Sequence, residues 1–116
     1  MFGKKNKTEI AKDIVQNLIR IVASLRADNG FSVSAPEITT YLRDKATPDL
    51  VNAIDGCDSL LAQLRGPAPM MNPEIVLNIR ESLAHEAKGR GVDVARSPLT
   101  IADFDMTPKE IDFSKP

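Results

Sequence analysis

Residues 8–25 read TEIAKDIVQNLIRIVASL, and this stretch decides the fold. Ile10, Ile14, Leu18, Ile21, Val22 and Leu25 recur at three- and four-residue steps, the period of one face of an α-helix. Val15 and Ile19 widen that face beyond a two-column coiled-coil seam. Thr8 is the expected N-cap, with Glu9 favourable beside the positive end of the helix dipole. Asp28-Asn29-Gly30 is the expected stop, with Gly30 supplying a left-handed residue after the last turn.

Downstream, one start signal recurs: a capping residue, a proline and an acid. Ser34-Ala35-Pro36-Glu37 combines a capping-box spacing with a proline in the first turn and opens a helix over 35–45, burying Ile38, Tyr41 and Leu42. Thr47-Pro48-Asp49 opens a third helix running to about Arg65. Its inner stripe is Leu50, Val51, Ile54, Cys57, Leu61 and Leu64. Gly56 weakens that helix by roughly 1 kcal/mol relative to Ala and suggests close approach of a neighbour. Asn72-Pro73-Glu74 opens a fourth helix, running to about Lys88, with Ile75, Val76, Ile79, Leu83 and Ala87 inward. Gly89-Arg90-Gly91 closes it. Gly66-Pro67-Ala68-Pro69 joins the third and fourth helices as a stiff connector.

Two segments depart from the helical period. Phe31-Ser32-Val33 alternates like a very short strand. From Val92 onward, Val92-Asp93-Val94 and Leu99-Thr100-Ile101 flank Arg96-Ser97-Pro98 as either a small β-hairpin near 92–104 or an extended arm. The expected organisation is a flexible basic lead over 1–7, a helical domain over 8–91 and a C-terminal arm over 92–116. The fold class is mainly α, a compact four-helix domain with that arm irregular.

A chain of 116 residues fits one domain and can bury a core without disulfides or metal. Aromatics make up only 4%, with no Trp, so that core must be aliphatic. The net charge of −1 gives no electrostatic reason to expect nucleic acid or an anionic membrane. Its distribution is uneven: Lys4, Lys5 and Lys7 give residues 1–7 a charge of +3, whereas residues 92–116 carry −2. A single cysteine forms no internal disulfide. No apolar run is long enough to span a bilayer, no signal-peptide core follows the basic start, and Phe2 stands where myristoylation needs glycine. A cytoplasmic location is the resulting expectation.

Reactive side chains are few. His85 is the one histidine, with Glu81 four residues earlier on the same helical face. Such a pair can serve acid–base chemistry, but it is also an ordinary exposed pair near a helix C-terminus. Cys57 lies between Ile54 and Leu61 at core spacing, and Asp55 and Asp58 beside it oppose a thiolate. Asp55 with Asp58, and Asp103 with Asp105, read as solvated carboxylates. No phosphate loop, nucleophile elbow, zinc ligand set or calcium loop is present, so no catalytic, cofactor-binding or metal-binding residue is expected.

The expectation is a non-enzymatic protein–protein interaction module, an adaptor, accessory or assembly factor that associates with another protein or forms a homodimer. Met70 and Met71 after the proline bend, and Leu99, Ile101, Phe104 and Phe113 in the acidic arm, are the candidate partner-binding residues. For the arm, docking onto its own domain is the competing reading. The alternative function is a small winged helix-turn-helix-like DNA-binding regulator. It would use Lys4, Lys5 and Lys7 on the phosphate backbone and Asn52 on the third helix. The N-terminal part of that helix, Thr47 to Asp55, holds two acids and no base, which opposes it.

Overall fold

A computed structural model of the chain describes residues 6–28, 30–65 and 71–104, with Ile101 described in its backbone only. Among them are four α-helices, α1 (Lys7–Asp28), α2 (Pro36–Arg43), α3 (Thr47–Gln63) and α4 (Pro73–Gly89), and a 3₁₀ turn at Ile101–Asp103. No strand occurs among the described residues. The mainly α architecture is therefore the one the apolar periodicity calls for.

The first residues of three helices differ from the caps that the sequence suggests. Asn6, not Thr8, caps α1. Its Oδ1 accepts from Glu9 N–H at 2.8 Å, and its own N–H donates to Glu9 Oε1 at 3.4 Å, a reciprocal capping box. Asn6 also supplies the carbonyl for the first helical bond, from Ile10 N–H, which places Thr8 inside the first turn. The capping box expected at Ser34 and Glu37 does not form. The residue before a proline favours extended backbone, and Ala35 (φ −56°, ψ 137°) takes that conformation and becomes the N-cap. Ser34 instead donates its N–H to Ser32 Oγ at 3.3 Å, so Phe31-Ser32-Val33 leads into a turn rather than forming a strand. At α3 the carbonyl of Ala46 accepts from Asp49 and Leu50 N–H, and Thr47 is already helical. Asn72 caps α4 as expected, its Oδ1 accepting from Glu74 N–H at 2.9 Å.

The helix ends use two glycines with positive φ, Gly30 (90°) and Gly91 (92°). Gly30 N–H donates to Leu25 O at 2.6 Å. After α4, Gly91 N–H donates to Lys88 O and Val92 N–H to Ala87 O, the paired bonds of a Schellman motif. Gly56 allows no close approach: it is exposed, and a Cβ there would meet open space.

α3 packs most extensively against α4 and then α1, and α1 also contacts α4. Leu18, Val22, Leu50, Ala53, Leu61, Val76, Ile79 and Leu83 are fully enclosed among these three helices and α2. α2 packs on α1 and α4 through Ile38 and Leu42. Val51, Tyr41 and Ile75, expected inside, are half-buried at the edge of this core.

Over 92–104 the described residues form an extended arm and not the hairpin. Val92, Val94 and Leu99 pack half-buried against the core, and Phe104 is buried in it. The 3₁₀ turn holds Phe104 in place: Thr100 N–H donates to Asp103 Oδ2 at 2.7 Å, and Asp103 N–H to Thr100 O at 2.8 Å. No described helix is long and apolar enough to cross a membrane.

Candidate functional site

An arginine on α4, Arg80, and the one that caps its C-terminus, Arg90, organise the polar interior. Arg80 extends the Val76–Leu83 face, and its side chain is only 8% exposed. Nε donates to Asp58 Oδ1 at 2.5 Å, Nη2 to Asp58 Oδ2 at 3.2 Å, and Nη1 to the Ala95 carbonyl at 3.3 Å. One guanidinium thus joins α3, α4 and the arm. Asp58 is therefore an ion-pair partner rather than a solvated carboxylate, while Asp55 is exposed as expected.

Arg90 performs a comparable task just past the C-terminus of α4. Its guanidinium reaches the carbonyls of Leu42 (2.9 Å), Arg43 (3.3 Å) and Lys45 (2.6 Å), Thr47 Oγ1 (3.1 Å) and Glu86 Oε2 (3.1 Å). It neutralises the negative end of the α2 dipole and satisfies the Arg43 and Lys45 carbonyls, while Leu42 O also accepts from Lys45 N–H. Neither arginine was recognised from sequence. A signal existed for Arg80, which lies four residues after Val76 and three before Leu83 on the inward stripe.

Cys57 is fully buried beneath Asp58. Burial, and then the nearby Asp58 charge, push its thiol up to about 12, with Arg80 pulling weakly the other way. That is the opposite of an activated nucleophile. Tyr41 is also raised, by burial first. Its hydroxyl accepts from Asn17 Nδ2 at 3.1 Å, which opposes the rise, and the Asp13 charge adds to it. The Lys45 ammonium lies 4.3 Å from the Tyr41 ring centre.

Two concave surfaces flank this framework. The first is a groove of about 780 Å³ between α1 and α3, on a side that α4 does not line. Ile19 and Leu60 are half-buried in it, and Lys7, Lys12 and Asp55 stand on its edges. The second, of about 560 Å³, lies between α4 and the arm, with Leu77, Ala84 and Leu99 among its walls.

The expected site residues are distributed between these surfaces. Lys7 and Asn52 meet in the α1–α3 groove. Lys4, Lys5, Met70 and Phe113 lie outside the described residues, as do Asp105 and the side chain of Ile101. Met71 is half-buried against the core, Leu99 lines the α4–arm cavity, and Phe104 docks onto its own domain. His85 and Glu81 are exposed at the mouth of that cavity, with no hydrogen bond between them. α2 and α3 do not pack on each other, so they form no helix-turn-helix pair. Among the described residues no three His, Cys, Asp or Glu side chains gather as a metal site.

Comparison with known protein families, curated proteins and solved structures found no match for this chain.

Proposed function

We propose that this chain acts by non-covalent association rather than by catalysis, as an adaptor or assembly protein, and that it binds a second copy of itself through the α1–α3 groove. The observation that carries the reading is the groove. α1 and α3 lie side by side, α4 lines none of the opening between them, and Ile19 and Leu60 remain partly open to solvent within it.

The edges of the groove favour a copy of the same chain. Lys7 and Lys12 stand on α1, and Asp55 stands on α3. A two-fold axis along the groove sets α1 of each copy over α3 of the other, so basic edge meets acidic edge twice. The 22 residues of α1 span about 33 Å, and two neighbouring helices present a face on the order of 600 Å². Stable interfaces bury about 800 Å² per partner, so the dimer is a reversible one. The non-catalytic part of the reading is supported by where the reactive groups sit: Cys57 is sealed in the core, and His85 is unpaired with Glu81.

A charge-swap mixture tests the interface. Lys12→Glu and Asp55→Lys should each weaken self-association alone, and the two variants mixed should recover it as a heterodimer. Independent loss with no recovery on mixing would reject this geometry.

One observation favours the second reading, a DNA-binding regulator: Lys7, Lys12 and Asn52 converge in one groove. Asp55 in the same groove and its concave form oppose it, because duplex recognition places a protruding helix in the major groove. Retention of mixed duplex DNA at low salt, lost in Lys7→Glu/Lys12→Glu, would replace the dimer reading.

A further inference from the structure

We infer that the cavity between α4 and the arm is a binding site for a small organic anion with an apolar body, a carboxylate carried on an aliphatic chain. The site is separate from the α1–α3 groove and does not depend on it. Its volume of about 560 Å³ lies within the range of small-molecule sites, about 300–1,000 Å³. Leu77 and Ala84 on α4 and Leu99 on the arm supply apolar wall on opposite sides. An aliphatic chain placed there removes apolar surface from water on both sides, which is the main driving force available to such a ligand.

The polar groups select for negative charge. Arg80, Lys88 and Arg96 line the cavity against one carboxylate, Glu81. The Arg80 charge is balanced by Asp58, so the excess comes from Lys88 and Arg96. Arg80 contributes geometry instead. A guanidinium has five N–H donors, and Asp58 and Ala95 occupy three of them. The remaining two belong to a side chain that is only 8% exposed and already held in place. A carboxylate arriving there meets a donor whose ordering cost has been met by the fold.

The arm makes the site adjustable. From Asp93 to Ser97 its backbone N–H groups have no partner among the described residues, and it is attached through side chains and the Arg80–Ala95 bond. It is therefore able to settle onto a ligand without breaking a ladder of backbone bonds.

The test is titration of the full chain with decanoate, followed by amide NMR and calorimetry, with decyltrimethylammonium as the cationic control. Decanoate should bind saturably, with shifts at Leu77, Ala84 and Leu99 and none at Ile19 or Leu60. Lys88→Glu/Arg96→Glu should weaken it about tenfold or more. Neither side chain makes a hydrogen bond or ion pair among the described residues, and an unchanged thermal melt verifies that the variant is folded. Three outcomes each overturn the proposal: no saturable binding, equal binding of the cation, or shifts centred on the α1–α3 groove.

Discussion

The Arg80 guanidinium grips both oxygens of Asp58, Nε to Oδ1 at 2.5 Å and Nη2 to Oδ2 at 3.2 Å, and so fastens α4 to α3. Arg80 is nearly enclosed, whereas the Asp58 side chain is 27% exposed. The pair is asymmetric: the loss of Asp58 strands a buried cation, and the loss of both removes the problem along with the bond.

Asp58→Ala should therefore cost about 2–3 kcal/mol, below the 3–5 typical of a fully buried pair because water reaches one side. Asp58→Ala/Arg80→Leu should recover more than half of that loss. Urea denaturation of the two variants measures both quantities. A double variant less stable than the single one would mean that Arg80 is held chiefly by the arm.

Arg90 should tolerate no replacement. Arg90→Ala leaves the carbonyls of Arg43 and Lys45 without a donor, while Leu42 O keeps its bond from Lys45 N–H, and a loss of about 2–3 kcal/mol is expected. Arg90→Lys should recover little, since an ammonium cannot span the same fork of acceptors. Hydrogen exchange should accelerate first in α2 and the turn to α3.

The helices were legible because their apolar spacing is local and unambiguous, as in Ile14, Leu18, Val22 and Leu25. Their first residues were not, because several polar residues compete for each cap. At α1 the Asn6–Glu9 pair prevailed over Thr8, and at α2 the backbone demand of Pro36 prevailed over Ser34. The place of Arg80 on the inward stripe was legible, but the partners of the two arginines were not, for a different reason. Asp58 lies 22 residues from Arg80 and Leu42 lies 48 from Arg90, and only the folded chain brings them together; the Glu86–Arg90 pair, four residues apart, is the local exception. The grooves share that property: Ile19 reads as part of the apolar face from its spacing, and packing leaves it at an opening beside Leu60.

Glycine replacements should divide by backbone conformation. Gly56→Ala, at an exposed helical position whose Cβ meets nothing, should stabilise by up to about 1 kcal/mol. Gly91→Ala, at φ 92°, should destabilise by about 1 kcal/mol despite equally open space. Thermal melts of the two variants should shift in opposite directions.

Cys57 gives stability a defined pH dependence. Its thiol ionises near 9 when unfolded and near 12 when folded, so the native state holds the proton more tightly. The contribution is complete below pH 9 and falls as pH rises from 9 to 12, by at most about 1.4 kcal/mol per pH unit. Urea midpoints of the wild type should decline more steeply across that window than those of Cys57→Ala. At pH 8 the native thiol should resist a disulfide reagent that reacts promptly once urea is added.

Sedimentation equilibrium from 1 to about 100 µM, a range suited to a marginal interface, tests the association most directly. The wild type should pass reversibly from the mass of one chain to that of two. Ile19→Glu/Leu60→Glu should keep its helical circular dichroism and remain at one. A wild type that stays at a single-chain mass throughout, or a variant that dimerises equally well, would contradict self-association through the α1–α3 groove.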